Sequence, residues 1–331
     1  MRQPIDSTAA LIRDGYAFAA RRSETWGTDL FTTRIFLQPT TFILGEEAAA
    51  LFYDGEHFTR MGAMPPTVQH LLQDKGSVQA LDPPVHRRRK EAFLSLMGEE
   101  SIGRLGEIFD EEWTQTLDSL PGPRRIVLHD FARQVLTRTA CRWAGVDVAD
   151  TDLRRLTREL GMMIDRAGSM GPMNWYAQWR RRSTENWAVE QIEKTRRGET
   201  DPAPDTALSV FAEHTDSAGE LLSAEAAAVE LINILRPTVA VARFIVFAAV
   251  ALTEHPQWRE TFAAGDESDL EAFVQGVRRS YPFFPAVPAR VRTAFEWRGH
   301  RFEPGDRVIL DLYATCHHRR LREDPAAFAP G

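Results

Sequence analysis

The sequence predicts a mainly α-helical protein with a small β-sheet, an α+β chain of 331 residues. Three observations predict it. Residues 102–200 read as mostly helical, broken only near Pro121-Gly122-Pro123 and Ser169-Met170-Gly171-Pro172. A long apolar helix follows from Ser223. Strand-like runs are confined to residues 31–44 and 295–313, so the sheet is expected to form from both ends of the chain.

The elements follow in order. Phe31 to Leu37 and Thr41 to Leu44 read as two short strands around a Gln38-Pro39-Thr40 turn. Gly45-Glu46-Glu47 opens a helix through Phe52, and Pro65-Pro66 precedes another. Asp82-Pro83-Pro84 is a helix start, because Asp caps and Pro is tolerated in a first turn whose N–H groups lack partners. That helix is expected to run from Pro83 to about Met97. Residues 196–206 form the best loop. Ser223-x-x-Ala226 begins the longest helix, which ends before His255-Pro256 and would measure ~48 Å at 1.5 Å per residue. Its apolar second half predicts a path through the middle of one large domain. Phe295 to Glu303 reads as a hairpin, with Arg298-Gly299-His300 between its two arms. Pro304-Gly305-Asp306 is a turn, and Val308 to Tyr313 a strand.

Composition narrows the function. Forty basic residues against forty-seven acidic ones give a net charge of −7, which argues against nucleic acid as the main partner. Eight Trp and nineteen Phe supply a sizeable core. Two cysteines, Cys141 and Cys316, are too few for a disulfide scaffold or a zinc cage, and a reducing cytoplasm fits best. The start of the chain lacks an apolar signal segment. The longest apolar run, Val239 to Leu252, is interrupted by Arg243 and is shorter than the ~20 residues of a membrane span.

Arg236-Pro237 is the most informative pair. Proline inside the long helix removes a hydrogen bond and crowds the Asn233 carbonyl, at about 3 kcal/mol or more. Arg236 lies among Ile234, Leu235, Val239 and Val241, so its charge is expected inside the protein, where it needs an anion. Two readings stand side by side: an internal ion pair with an Asp or Glu, and a site for a ligand carboxylate beside the kink. His86, Arg89 and Lys90 share one helix face at i, i+3 and i+4. They form either a solvated basic face or a carboxylate site turned inward. Cys316-His317-His318 lacks a second ligand cluster, which argues against a structural metal.

Several segments together resemble the cytochrome P-450 superfamily, in its bacterial branch of fatty-acid peroxygenases. They are residues 46–53, Phe58-Thr59-Arg60, Met64-Pro65, residues 77–82, His86-x-x-Arg89-Lys90-x-x-Phe93, residues 232–237, residues 277–285 and Asp311 to Thr315. The Arg-Pro pair is specific to this branch. The resemblance implies a cytochrome P-450 fold, haem b as cofactor, hydrogen peroxide as co-substrate and a fatty acid as substrate. It also implies no redox partner. Carried over by residue, Arg236 binds the substrate carboxylate, and Pro237 replaces the acid–alcohol pair of oxygen-activating relatives. Gln79 matches a distal position that influences hydroxylation against decarboxylation. Arg60, His86, Lys90 and Arg290 are candidates for the haem carboxylates. The held substrate carboxylate would itself supply the acid–base group that peroxide cleavage needs.

Two departures from the family pattern are visible. Gly276 stands where relatives carry a Glu that pairs with the residue matching Arg279. Neither Cys141 nor Cys316 matches the haem ligand, whose loop is expected beyond Gly331. The expectation is therefore a single domain, residues 1–331, stopping before that loop and binding haem poorly. The alternative is a degenerate, non-catalytic helical protein that at most binds fatty acid. A terpene-cyclase-like helical enzyme ranks below both, because its Asp-rich metal motif is missing.

Overall fold

A computed structural model describes residues 6–72, 83–122, 125–169, 171–215, 219–317, 324 and 327–328, apart from the side chains of residues 66, 67 and 83–86. In chain order the elements are α1 Thr8–Asp14, α2 Phe18–Trp26, β1 Leu30–Ile35, β2 Gln38–Ile43, α3 Glu46–Tyr53, β3 Phe58–Thr59, α4 Pro66–Leu72 and α5 Pro83–Ser95. Then come α6 Glu99–Asp118, α7 Leu128–Trp143, α8 Asp150–Arg166, α9 Pro172–Arg196, α10 Ala207–Glu213, α11 Ala224–Ala240 and α12 Ala242–Glu254. The last are α13 Pro256–Ala263, α14 Leu270–Ser280, β4 Ala286–Val291, β5 Phe295–Trp297, β6 His300–Phe302, β7 Arg307–Asp311 and α15 Leu312–Cys316. Their contacts group into two compact units, residues 1–64 with 247–331, and residues 65–246.

The first unit is built on a five-stranded sheet of order β1-β2-β7-β4-β3. Only the β2–β7 pairing is parallel; the other three are antiparallel. Side chains alternate across the strands, as the pleat requires. Ile43, Val308 and Leu310 pack on one face with Ala48 and Phe52 of α3, while Phe42 and Ile309 pack on the other with Phe18 and Ala19 of α2. The sheet does draw on both ends of the chain. The 295–302 hairpin, however, forms a separate two-stranded sheet, β5–β6. The first hairpin turns at Phe36-Leu37 rather than at Gln38-Pro39-Thr40; both residues have positive φ, 52° and 63°. That left-handed conformation is strained for side-chain-bearing residues. It is held from outside, by Thr8 Oγ1 accepting from Phe36 N and Asp6 Oδ2 from Leu37 N, both at 2.6 Å.

Asp311 ends β7 and caps α15, its Oδ1 accepting from Ala314 N at 2.7 Å. Burial pushes its carboxyl up to about 7. The folded state therefore holds a proton that the unfolded chain releases near pH ~4. Stability from this group is full below about pH 4 and is lost as pH rises through about 7. Asp311→Asn keeps the cap without the charge. It should flatten the thermal-melt profile between pH 4 and 8 and raise the melting temperature most at the alkaline end.

The second unit is helical, and α11 lies at its centre, packed by α7, α8, α9 and α10. Ser223 caps it as expected, its Oγ accepting from Ala226 N at 3.1 Å. The expected single helix from Ser223 to Glu254 is instead two, because α11 stops at Ala240 and α12 starts at Ala242. The break falls at Val241, where Val241 N donates to the Thr238 carbonyl at 3.2 Å and Phe244 N to the Val241 carbonyl at 2.8 Å. Upstream, within α11, Pro237 supplies no N–H and Thr238 Oγ1 donates to the Ile234 carbonyl at 2.9 Å. The longest helix is α9, with 25 residues. Most of α12 is half-buried, so the apolar second half does not run through a core. By length and composition alone, an 18-residue window within residues 224–254 is apolar enough to cross a membrane, a test that a buried core helix such as α11 also passes.

Candidate functional site

In the second unit, Glu230, Asn233 and Arg236 recur every three residues along α11, which stacks them on one face. They form a hydrogen-bonded ladder. Arg89 Nη1 of α5 donates to Glu230 Oε1 at 3.0 Å, and Asn233 Nδ2 donates to Glu230 Oε2 at 2.9 Å. Arg236 Nη2 donates to Asn233 Oδ1 at 3.1 Å and to the Leu72 carbonyl, while Nη1 donates to the Leu71 carbonyl at 3.4 Å. Glu230 is 0% exposed and Arg236 is 5% exposed. The expected buried guanidinium is thus present. Its fork is fixed by α4 carbonyls and Asn233.

Glu230 lies on α11 and is coupled to Arg236 through Asn233. Glu230 and Asn233 escaped notice because the partner of Glu230 is 141 residues away. Helical spacing from Arg236 was the available signal.

The shared face of His86, Arg89 and Lys90 divides. Arg89 is buried on Glu230, while Lys90 and its neighbours Arg87 and Arg88 are exposed. Arg88 Nη2 donates to Thr215 Oγ1 at 2.9 Å. His214 is held below the usual imidazole range, first by burial and then by Arg89 and Arg88. The His86 side chain and all of Gln79 lie outside the described residues.

In the first unit, Arg290 and Arg307 face each other across β4 and β7. Like charges directly opposite destabilise a sheet unless an anion lies between them. Arg290 Nε donates to the Gly62 carbonyl at 3.0 Å and Nη1 to the Gly305 carbonyl at 2.9 Å. Arg307 is half-buried, and its guanidinium is pushed down first by burial and then by Arg290. Sequence reasoning missed Arg307; the β-register is the signal that pairs it with Arg290. Arg60 is exposed over Phe52 and Tyr53, its Cζ 5.2 and 5.6 Å from the ring centroids.

A haem presents two carboxylates and an iron. The opposed Arg290 and Arg307 fit a carboxylate. The cysteines do not fit the iron. Cys141 is buried in α7, and burial pushes its thiol up to about 12, far from the thiolate an iron needs. Cys316 closes α15 at the electronegative helix end, which also disfavours a thiolate. Gly276, in α14, is buried, and Arg279 Nη2 donates to the Ala327 carbonyl at 2.6 Å.

No family model matches the chain. Solved structures do. Cytochrome P-450 EX alpha with myristic acid aligns at TM-score 0.92 and 38% identity, over 99% of this chain and 79% of that one. Cytochrome P-450 SP alpha with (R)-ibuprophen aligns at 0.92 and 40%, over 98% and 80%. A variant of cytochrome P-450 OleT with arachidonic acid aligns at 0.93 and 29%, over 99% and 79%. The mainly helical architecture with small sheets is that of these proteins. At such identity over such length, the chain belongs to the CYP152 fatty-acid peroxygenase family of the cytochromes P-450.

Proposed function

We propose that this protein hydroxylates or decarboxylates a fatty acid with hydrogen peroxide, and that Arg236 holds the substrate carboxylate. The observation that carries this reading is the buried Arg236 guanidinium, held in one orientation by Asn233 and two α4 carbonyls next to Pro237. A carboxylate bound there sits in a low-dielectric setting, where a charge-assisted pair is strong and fixed in direction. Arg236 thereby orients the chain of the acid and sets the carboxylate to accept and return a proton. Gln79 biases hydroxylation against decarboxylation. Arg290 and Arg60, and on the other unit His86 and Lys90, are each offered as a partner for a haem carboxylate, and the oxidising chemistry would come from haem when bound. No redox partner is needed, because peroxide carries both oxygen and electrons.

The test is oxidation of tetradecanoic acid by hydrogen peroxide after haem loading, with products separated by gas chromatography. The expected products are a hydroxy acid or an alkene one carbon shorter. Methyl tetradecanoate, which lacks the anion, should remain unchanged. Equal turnover of acid and ester would overturn the role of Arg236. Tight binding of the acid without turnover in a haem-loaded sample would favour the non-catalytic reading.

A further inference from the structure

The first two turns of α9 do not look like the outer face of a helix surrounded by water. A solvated face is expected to be polar. Here Ala177 turns inward, while Met173, Trp175, Tyr176 and Trp179 turn outward. Trp175 is 65% exposed and Trp179 58%, and they are the only exposed members of the eight tryptophans. Tyr176 and Trp179 stand with ring centroids 5.8 Å apart, so the aromatics form one cluster. One turn further on, Trp179, Arg180, Arg182, Ser183 and Asn186 line a recess of about 360 Å³.

Charge points to what this cluster meets. The chain as a whole carries −7, yet residues 172–184, the start of α9, hold three arginines and no acid. Of these, Arg181 is buried and pairs with Glu185. Arg180 lies over the Trp179 ring, 5.6 Å from its centroid, and bonds Glu159. Arg182 is exposed, with no acid partner among the described residues. Amphipathic rings settle at the headgroup level of a bilayer, and basic side chains beside them favour anionic lipid. Three exposed rings within one turn of a helix suit such a surface, and the net charge of −7 disfavours nucleic acid.

We propose that the N-terminal part of α9 docks on an anionic lipid surface, with Trp175, Tyr176 and Trp179 inserted among the headgroups and Arg182 on lipid phosphate. This stands apart from the role given to Arg236. It would bring the protein to the phase in which long-chain acids partition.

The test is co-sedimentation of the full chain with vesicles of phosphatidylglycerol and phosphatidylcholine, and with vesicles of phosphatidylcholine alone. Binding to the mixed vesicles at low salt, with a blue shift of tryptophan emission, is expected. Binding to the neutral vesicles should be at least tenfold weaker. The double variant Trp175→Ser/Trp179→Ser should lose tenfold or more on the mixed vesicles while its circular dichroism and melting curve stay unchanged. Arg182→Glu should erase most of the preference for anionic lipid. Absence of binding, or a double variant that binds as well as the parent, overturns the proposal. So does retention on single-stranded oligonucleotide in preference to vesicles. A concentration-dependent dimer abolished by the double substitution would assign the patch to a second copy and overturn it as well.

Discussion

Replacing Arg236 by Ala should weaken binding of a long-chain fatty acid by about 150- to 5,000-fold, the 3–5 kcal/mol that losing one partner of a buried charge pair costs. Isothermal titration with tetradecanoate measures it, with tetradecanol as the uncharged comparator. The acid should lose its advantage over the alcohol, because nothing else in the ladder can replace the fork of Arg236. Arg236→Lys should fall between, since an ammonium offers a point charge without the planar pair of donors. The substitution also leaves the Leu71 and Leu72 carbonyls and Asn233 Oδ1 short of a donor, each at roughly 1–3 kcal/mol. Binding is therefore compared at a temperature where melting curves show both variants folded. An unchanged preference for the acid in folded Arg236→Ala would remove Arg236 from the site.

What was legible in the sequence was local chemistry. Ser223 capped its helix because a side-chain oxygen three residues upstream suffices. The 295–302 hairpin was visible through Arg298-Gly299, whose left-handed turn only a few residue pairs favour. What escaped notice depends on distant partners. The turn at Phe36-Leu37 carries no Gly or Asn; its conformation is imposed by Asp6 and Thr8. Strand β4 contains Pro288, which masks a strand in any local reading. Its pairing with β7 becomes visible only when residues 286–290 and 307–311 are brought together. The basic run 86–90 showed its charge but not its division, since Glu230 on α11 decides that Arg89 turns inward. Arg236-Pro237 was legible as a pair because a cation in an apolar stretch and a proline in a helix are both costly. The Leu71 and Leu72 carbonyls that meet the cation were not.

Glu230 is the residue whose loss should cost the most stability. Its carboxylate accepts from Arg89 on one oxygen and from Asn233 on the other, in full burial. Glu230→Ala leaves the Arg89 guanidinium buried without this anion and frees Asn233 to rotate away from Arg236. Breaking such a pair costs about 3–5 kcal/mol, which for a unit of this size lowers the melting temperature by about 10 °C. The desolvation argument predicts a particular pattern in the double variant. Glu230→Ala with Arg89→Met removes both charges, so it should be more stable than Glu230→Ala alone, although it lacks one more native side chain. Glu230→Gln keeps an acceptor for Asn233 and should fall between wild type and Glu230→Ala. Thermal melts of wild type, Glu230→Ala, Arg89→Met, the double variant and Glu230→Gln decide it. If the double variant melts below Glu230→Ala by the full cost of Arg89→Met, the two residues are uncoupled and the ladder does not act as a unit. If it recovers, Arg89 and Glu230 fix the position of Asn233, and through Asn233 the guanidinium offered to the substrate.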